Sequence, residues 1–489
     1  MASLHSSVPA SRVTPLNAAP VRADRSWVLY WMVAARRSSF NFSLERAAEY
    51  ARQLGRPLLV LEALRCDYPW ASDRLHRFII GGMADNRAAL ERSNAMYYPY
   101  IEPDKGAGRG MLSELAKRAA VVVTDDFPTF FLPRMSASAA ARIDVRLEKV
   151  DGNGLLPMAA SDGPPATAYA FRRLVQRQLI DQLESIPLED PLQDLPEPGQ
   201  LPPDVLRRWP AASPQLLDGE KLGFAGLPID HAVTPTALRG GLANARRTLD
   251  DFLTDRLAGY ADQRNRPEVE ATSGLSPYLH FGHLSAHEVF LEVTRRARWS
   301  PDQVVPPQNG RRAGWWALPE ATEGFLDQLI TWRELGFHFC HHRADHDSYE
   351  SLPDWTQNTL AKHAGDPREH LYTLTEFDEA DTHDPLWNAA QNQLRREGHI
   401  HNYLRMLWGK KILEWTREPR EALEIMIELN NRYALDGRDP NSVTGIFWVL
   451  GRHDRPWGPE RPVFGTVRYM SSANTARKYP VRRYLERYS

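Results

Sequence analysis

Tryptophans in the C-terminal half of the sequence are spaced in a way that could carry an electron. Trp408 and Trp415 are seven residues apart in one predicted helix, so they share a face, and Trp387 belongs to the helix predicted before it. Aromatic rings in a row can pass an electron by short hops, whereas a hydrophobic core needs no such row. For any single one of the 14 tryptophans in the chain, a place in a large hydrophobic core is the alternative interpretation.

Two short segments carry polar groups suited to a bound ligand. Residues 272–275 (Thr-Ser-Gly-Leu) precede Ser276 and Pro277, which we predict to cap a helix and to occupy its first position. Hydroxyls and a glycine beside free helix amides form a cradle for phosphate, although most capped helices bind nothing. Residues 435–441 place two acids and an amide in a turn, where they either face a ring system with hydrogen-bonding edges or only stabilise the turn.

Four histidines lie close together in the sequence. His338 and His342 are one helical turn apart, with His341 and His346 nearby. No acidic or cysteine ligand completes a known metal pattern at matching spacing, so we expect no metal here and interpret the histidines as solvated or phosphate-facing.

Charge is distributed unevenly along the chain. The formal net charge is -2, which argues against a protein that coats nucleic acid indiscriminately. Residues 451–489, however, carry nine Lys and Arg against three acids, with six aromatic residues interleaved, so this segment is at +6 and the rest of the chain at -8. Such a tail is either a solvated face or a surface for phosphate contact and base stacking.

These residues require a scaffold, and the hydrophobic pattern predicts one in several parts. Over 26–185, apolar runs alternate with helical segments, which predicts a doubly wound α/β domain. The proline-rich stretch 186–240 predicts a surface linker, and 241–489 is helical in pattern throughout. Residues 1–25 are predicted to be a flexible lead-in. The predicted strands are 27–33, 57–64, 97–101, 120–123 and 143–150, and the predicted helices are 43–54, 72–92, 247–261, 276–295, 322–339, 384–397, 404–416 and 419–433.

Composition excludes several classes of protein. Two distant cysteines, Cys66 and Cys340, cannot build a disulfide framework, so an intracellular location is expected. No stretch approaches the roughly 18 uncharged apolar residues of a membrane span. No Gly-x-Gly-x-x-Gly follows a predicted strand, so the usual dinucleotide site is not supported.

Several motifs of the helical half, taken together, point to a known family. The runs 382–389, 404–415, 435–441 and 453–455 closely resemble those of the class II cyclobutane pyrimidine dimer photolyases. Residues 260, 264–265, 275–277, 280–282, 325–326 and 332–335 are similar as well, and so is the N-terminal run 28–32. The resemblance extends from about residue 26 to the end of the chain.

The resemblance implies an α/β antenna domain followed by an all-α domain that binds FAD. In that family the reduced flavin absorbs light, donates an electron to a dimer flipped out of UV-damaged DNA, and recovers it once the cyclobutane ring has split. The resemblance also implies a deazaflavin-type antenna pigment in the N-terminal domain, a monomer, no membrane association, and a location in the cytoplasm, nucleoid or nucleus.

The family's site residues can be carried over motif by motif. Expected at the FAD are Tyr260, Ser273, Leu275 and Ser276, the serines at its phosphates, with Arg405 paired to Asp436 near the ring and Asn430, or alternatively Asn441, facing flavin N5. Expected as the photoreduction chain, from flavin to surface, are Trp408, Trp387 and Trp415. Expected around the dimer are Gln328, Asn265, Trp332, Met406 and Trp448, and expected at the DNA are Arg264, Arg455 and Arg468.

The sequence departs from the class II pattern in three places. Gln328 stands where a glutamate usually hydrogen-bonds the dimer, His401-Asn402 replaces His-Gly, and 336–346 carries the extra histidines. Glutamine at that position and histidines near the pocket occur in (6-4) photolyases and animal cryptochromes. The leading hypothesis is therefore light-driven repair of cyclobutane pyrimidine dimers, with a (6-4) photoproduct lyase and a cryptochrome-like photoreceptor without repair activity as alternatives.

Overall fold

A computed structural model of the chain describes residues 6–217, 226–307 and 309–489. Residues 1–5 of the predicted lead-in and 218–225 of the predicted linker lie outside this description. The chain divides into two compact units, each described here by itself. Unit 1 comprises residues 1–162, 177–250 and 274–301, and unit 2 comprises residues 163–176, 251–273 and 302–489.

Unit 1 contains one six-stranded sheet with the order β1-β6-β5-β2-β3-β4. Five strands are parallel, and β1 pairs antiparallel with β6. The strands are β1 Val13–Pro15, β2 Trp27–Met32, β3 Leu58–Leu64, β4 Met96–Ile101, β5 Ala119–Asp125 and β6 Leu147–Val150. The predicted α/β fold with a doubly wound parallel sheet is confirmed.

The two faces of this sheet are covered by separate hydrophobic clusters. Successive side chains of a strand point to opposite faces, so Tyr30 packs with Leu44 and Ala48 of the first helix, whereas Leu29 packs with Leu115 on the other face. A strand buried on both faces appears in sequence as a continuous apolar run, which is why all five parallel strands were predicted.

The helices follow in chain order. The first eight are α1 Phe42–Leu54, α2 Asp73–Leu90, α3 Met111–Ala116, α4 Leu132–Ala140, α5 Ala168–Gln182, α6 Pro203–Arg208, α7 Pro214–Leu217 and α8 Leu242–Asp251. The next six are α9 Tyr260–Gln263, α10 Ser276–His280, α11 Ala286–Arg296, α12 Glu320–Leu326, α13 Arg333–His342 and α14 Asp354–Lys362. The last seven are α15 Leu374–Glu379, α16 Pro385–Glu397, α17 Asn402–Glu414, α18 Pro419–Tyr433, α19 Pro440–Val449, α20 Ser472–Lys478 and α21 Arg482–Tyr488.

Three local features differ from the sequence predictions. β1 lies in the segment interpreted as a lead-in; it is three residues long and pairs with a strand more than 130 residues away, so no local periodicity announces it. The helix predicted over 276–295 is two helices, broken at Gly282, whose φ is +69°. The helix predicted over 322–339 contains a π-helical segment, Asp327–Trp332.

The start of α10 also corrects a prediction. The helix begins at Ser276, and Leu275 holds the N-cap position without a side-chain hydrogen bond. Ser276 is therefore not the cap, because it already lies in the first turn, and Pro277 takes the second helical position. None of the helices in the described part of the chain is both long and apolar enough to cross a membrane.

Candidate functional site

Three tryptophans of unit 2 form a continuous row of rings. The Trp408 and Trp387 rings are stacked, with centroids 6.4 Å apart and planes 5° apart. The Trp387 and Trp415 rings are 6.1 Å apart at 68°. Trp387 on α16 thus lies between Trp408 of α17 and Trp415, the residue that follows the end of α17. The three side chains are 0 to 3% exposed, and Trp415, predicted as the surface end of the row, is itself buried.

Hydrogen bonds hold two of these rings in place. Trp408 Nε1 donates to Oε1 of Gln391 at 2.9 Å, and Trp387 Nε1 donates to the Trp408 carbonyl at 3.0 Å. Asp384 caps α16 by accepting from the backbone N–H groups of Leu386 and Trp387. Sequence reasoning missed Gln391, because a single glutamine within a helix has no distinguishing local pattern, although its complete burial marks it in the structure.

Polar side chains cluster where α17, α18 and α19 are adjacent. Arg405 donates to Asp436 at 3.0 Å, and both side chains are largely buried. The amide of Asn430, 2% exposed, donates to Ser442 Oγ at 2.9 Å. A Cβ at Gly437 would lie 2.9 Å from the Asn430 carbonyl oxygen, so the chain there requires glycine. Asn441, the predicted alternative to Asn430, is exposed.

Tyr260 lies in an aromatic environment at the start of α9. Its ring makes edge contacts with Phe252 and Phe325, both at 5.7 Å, and the Arg264 guanidinium lies 5.7 Å from its centroid. Burial raises the pKa of Tyr260. Asn265, just beyond α9, is half-buried. Of the other residues predicted at a cofactor, Ser273 belongs to unit 2, whereas Leu275 and Ser276 belong to unit 1.

Gln328 lies in the π-helical segment Asp327–Trp332 of unit 2. The preceding carboxylate, Asp327, accepts two hydrogen bonds from Arg172, at 2.7 and 3.2 Å, and this buried pair fixes the segment. π-helical turns are rare and often occur at functional sites. Gln328 is half-buried, as are the other residues predicted around a dimer, which are Asn265, Trp332, Met406 and Trp448. No hydrogen bond or ring contact joins these five side chains to one another in the described structure.

A second aromatic group of unit 2 is interleaved with arginines. The Arg468 guanidinium lies 5.6 Å from the Trp448 ring and 5.1 Å from the Trp457 ring, and Arg455 lies 4.7 Å from Trp457. We call these four residues the cation–aromatic stack. Trp457 is 36% exposed, and its Nε1 donates to Asp454. The basic tail was recognised in the sequence, but the alternation of rings and guanidinium groups in space was not.

Lys410 lies beneath this stack. Its side chain is completely buried, its Nζ donates to the Val449 carbonyl and lies 5.7 Å from the Trp448 ring centroid. Burial lowers the pKa of Lys410 to about 7, with Arg468 acting in the same direction and Asp454 opposing it.

The four neighbouring histidines were interpreted as solvated or phosphate-facing, and this does not hold for all of them. His338 is completely buried with its ring 4.8 Å from Phe171, so that interpretation is wrong for His338. His346 is largely buried and its Nδ1 lies 2.8 Å from the Arg343 carbonyl oxygen. Within the described residues, no group of three or more His, Cys, Asp or Glu side chains is arranged to hold a metal ion.

Several known proteins are similar to this chain over most of its length. The chain is 35% identical to the deoxyribodipyrimidine photo-lyase of Methanothermobacter thermautotrophicus, with 98% of each chain covered. It is 33% identical to the Arabidopsis thaliana protein of the same name, covering 94% of this chain and 88% of the relative, and 32% identical to that of Potorous tridactylus, covering 93% and 79%. No protein-family profile matches the chain.

A solved structure shares the fold. A class III photolyase from Agrobacterium tumefaciens superposes with a TM-score of 0.62 at 17% identity, covering 95% of this chain and 86% of the other. At that identity the match bears on the fold alone.

Proposed function

The chain belongs to the deoxyribodipyrimidine photo-lyase family, and from this premise we propose that it repairs cyclobutane pyrimidine dimers in DNA with light, as a class II member. The observation that carries the proposal is the presence, within unit 2, of both a buried row of tryptophans and a partly exposed cation–aromatic stack. The first suits electron transfer, and the second suits binding of a polyanion that carries aromatic bases.

The residues of unit 2 fit a flavin. Arg405 makes one hydrogen bond with Asp436, which leaves guanidinium donors for a flavin ring edge. The buried amide of Asn430 is oriented by Ser442, and this favours Asn430 over the exposed Asn441 as the group facing flavin N5. When bound, reduced FAD supplies the light absorption and the electron that opens the cyclobutane ring. We also propose a deazaflavin-type antenna pigment in the α/β domain, 26–185, and assign FAD to the helical domain, 241–489, with 186–240 as the linker.

The protein's own side chains hold the dimer and the DNA. A dimer flipped out of the duplex would lie against Trp332 and Trp448, whose flat rings suit stacking. The Gln328 amide can donate to and accept from a pyrimidine, but it has no carboxyl proton to share. Arg264, Arg455 and Arg468 would contact phosphates, and Arg468 can do so from between two indole rings.

Two observations bear on the alternative of a (6-4) photoproduct lyase. Gln328 favours it. Of the extra histidines that also suggested it, His338 is completely buried against Phe171, so it has no exposed surface with which to contact a lesion. A cryptochrome-like photoreceptor remains the alternative from another functional class, and the partly exposed cation–aromatic stack argues for DNA binding instead.

One experiment separates the three activities. Purified, FAD-loaded protein is incubated with oligonucleotides that carry either a single cyclobutane dimer or a single (6-4) photoproduct, in blue light and in the dark. We expect restoration of the dimer substrate in light alone. Restoration of the (6-4) substrate would establish the second activity, and flavin loading without repair of either substrate would establish the photoreceptor.

A further inference from the structure

Two members of the cation–aromatic stack are carried by one short hairpin of unit 2. The backbone N–H of Trp457 donates to the Thr466 carbonyl at 2.8 Å, which brings the two ends of the segment together. We call this segment, residues 457–466, the hairpin. Trp457 is its first residue, and Arg468 follows its last residue by two positions. The place that the hairpin takes on the protein therefore sets the positions of both groups.

The far end of the hairpin lies directly against α14. Arg461 and Gly465 close this end by exchanging two backbone hydrogen bonds, at 3.0 and 2.8 Å. Gly465 has a φ of +53°, in the left-handed region that favours glycine. A Cβ at Gly465 would overlap Oγ1 of Thr359, on α14, and would lie 2.8 Å from a ring carbon of His363, the residue that follows α14. Glycine thus allows the hairpin to approach α14 more closely than a residue with a side chain could.

Three side chains on and just after α14 hold the hairpin by its backbone. Oγ1 of Thr359 accepts from the backbone N–H of Thr466 at 3.0 Å. Asp366 accepts from the backbone N–H of Val463 at 2.9 Å, and its carboxylate lies 2.7 Å from Nδ1 of His363. The Val463 N–H and the His363 ring both lower the pKa of Asp366, so this acceptor stays ionised. We call Thr359, His363 and Asp366 the anchor.

A surface ion pair also joins the two elements, but it contributes less. Lys362 Nζ lies 2.6 Å from Glu460 of the hairpin, and both side chains are exposed. Ion pairs between exposed side chains add little to stability, because water screens them and two long side chains must be ordered. Thr359, in contrast, is only 8% exposed, and Val463 and Phe464 at the end of the hairpin are buried. The anchor, more than the ion pair, decides where the hairpin lies.

We propose that the anchor positions the DNA-binding groups: its three side chains hold the hairpin in the conformation that presents Trp457 and Arg468, and none of the three contacts DNA. This proposal rests on the proposed function, because it takes the cation–aromatic stack as a DNA-binding group. A loop that is ordered before binding loses less conformational freedom when it binds, so its affinity is higher. The anchor therefore determines Kd for DNA and leaves the light-driven steps unchanged.

The test compares four variants with the unmodified full-length, FAD-loaded protein. Thr359→Val removes the hydroxyl acceptor at nearly constant shape, and Asp366→Ala removes the carboxylate. Thr359→Ser keeps the acceptor and is the conservative counterpart. Thr294→Val removes the hydroxyl of another buried helical threonine, one that bonds the Phe290 carbonyl in unit 1, and is the matched control.

Three measurements are made on each protein. Amide hydrogen exchange of peptides that cover 457–466 is followed by mass spectrometry without DNA, Kd for dimer-containing DNA is measured by fluorescence anisotropy at fixed salt, and repair is measured in light at saturating DNA. In Thr359→Val and Asp366→Ala we expect faster exchange of the hairpin amides and a Kd about fivefold higher, as for the loss of one hydrogen bond. Repair at saturating DNA should be unchanged. Thr359→Ser and Thr294→Val should match the unmodified protein in all three measurements.

The outcomes distinguish failure of the anchor from failure of the function on which it depends. Unchanged exchange in Thr359→Val and Asp366→Ala overturns the anchor, and faster exchange with an unchanged Kd overturns its link to DNA binding. In both of these cases the unmodified protein still binds and repairs DNA. An unmodified protein that does not bind dimer-containing DNA overturns the proposed function and the anchor's role together. If Asp366→Ala fails to fold, the comparison of Thr359→Val with Thr359→Ser decides the question.

Discussion

Trp387, Trp408 and Trp415 are almost completely buried, whereas Trp457, in the same unit, has 36% of its surface exposed. The buried rings pack against one another, and two of them are held by hydrogen bonds to Gln391 and to the backbone. The exposed ring lies between the guanidinium groups of Arg455 and Arg468. One residue type thus occupies two opposite environments.

The difference follows from what each region has to do. Electron transfer depends on fixed distances between rings, and close packing fixes them best. Binding to DNA depends on cations whose charge reaches phosphates and on rings whose faces can meet a base, so these groups must remain accessible. Each region can therefore be damaged by a substitution that leaves the other intact.

Removing one ring from the buried row should abolish photoreduction of FAD without affecting repair itself. We expect Trp408→Phe to lower light-driven reduction of FAD by a thiol to the level of a dark sample, because the stacked step to Trp387 is lost. Dimer repair by chemically reduced protein should be retained. Trp299→Phe, at a ring packed edge-on against Phe290 in unit 1, is the control. Loss of both activities in Trp408→Phe would show that the tryptophan is mainly structural.

Lys410 lies close to both regions. It belongs to α17, which also carries Trp408, and its side-chain nitrogen lies near the Trp448 ring of the cation–aromatic stack. Its pKa is about 7 when folded and about 10.4 when unfolded, so above pH 7 the unfolded chain binds more protons and stability rises with pH. This one group should add up to about 1.4 kcal/mol per pH unit between pH 7 and 9. Urea unfolding at pH 7, 8 and 9 should show a smaller rise in Lys410→Met, and equal slopes in the two proteins would contradict the buried, largely neutral lysine.

Removing the exposed ring should weaken DNA binding and leave photoreduction unchanged. Stacking of a base on an aromatic side chain contributes roughly 1–3 kcal/mol, so Trp457→Ala should raise Kd for dimer-containing DNA about tenfold. Fluorescence anisotropy at fixed salt measures this change. Tyr169→Ala removes another exposed aromatic side chain of unit 2 and should leave Kd unchanged. An equal rise in Kd in both variants would show that Trp457 contributes no more to DNA binding than another exposed aromatic side chain.

A carboxyl group at position 328 should improve repair of the dimer. Gln328→Glu restores a carboxyl group that can share a proton with a dimer radical, so dimer repair per absorbed photon should rise severalfold, with Kd for DNA little changed. Oligonucleotide repair under calibrated light gives the yield. An unchanged yield would indicate that the glutamine serves a different lesion.

The fold class could be predicted from the sequence because local patterns encode it. Each parallel strand is buried on both faces and reads as an apolar run, and most helices show their period of 3.6 residues. The resemblance to a known family also implied the row of Trp387, Trp408 and Trp415 and the pairing of Arg405 with Asp436. Structure then placed these residues in contact.

Other features depend on contacts between distant parts of the chain. β1 forms only because β6 offers an unpaired edge, and Gln391 matters only because the Trp408 indole reaches it across two helices. The burial of His338 and the alternation of Trp448, Arg468 and Trp457 likewise require the packed chain.

Local sequence patterns predicted the five parallel strands, most of the helices and the residue types available for chemistry, but neither β1 nor the break at Gly282. Only the packed chain shows which side chains meet, and that Trp415, expected at the surface end of the row, is buried. Periodicity and capping act over a few residues, whereas a hydrogen bond or ring contact between helices depends on the packing of the whole unit.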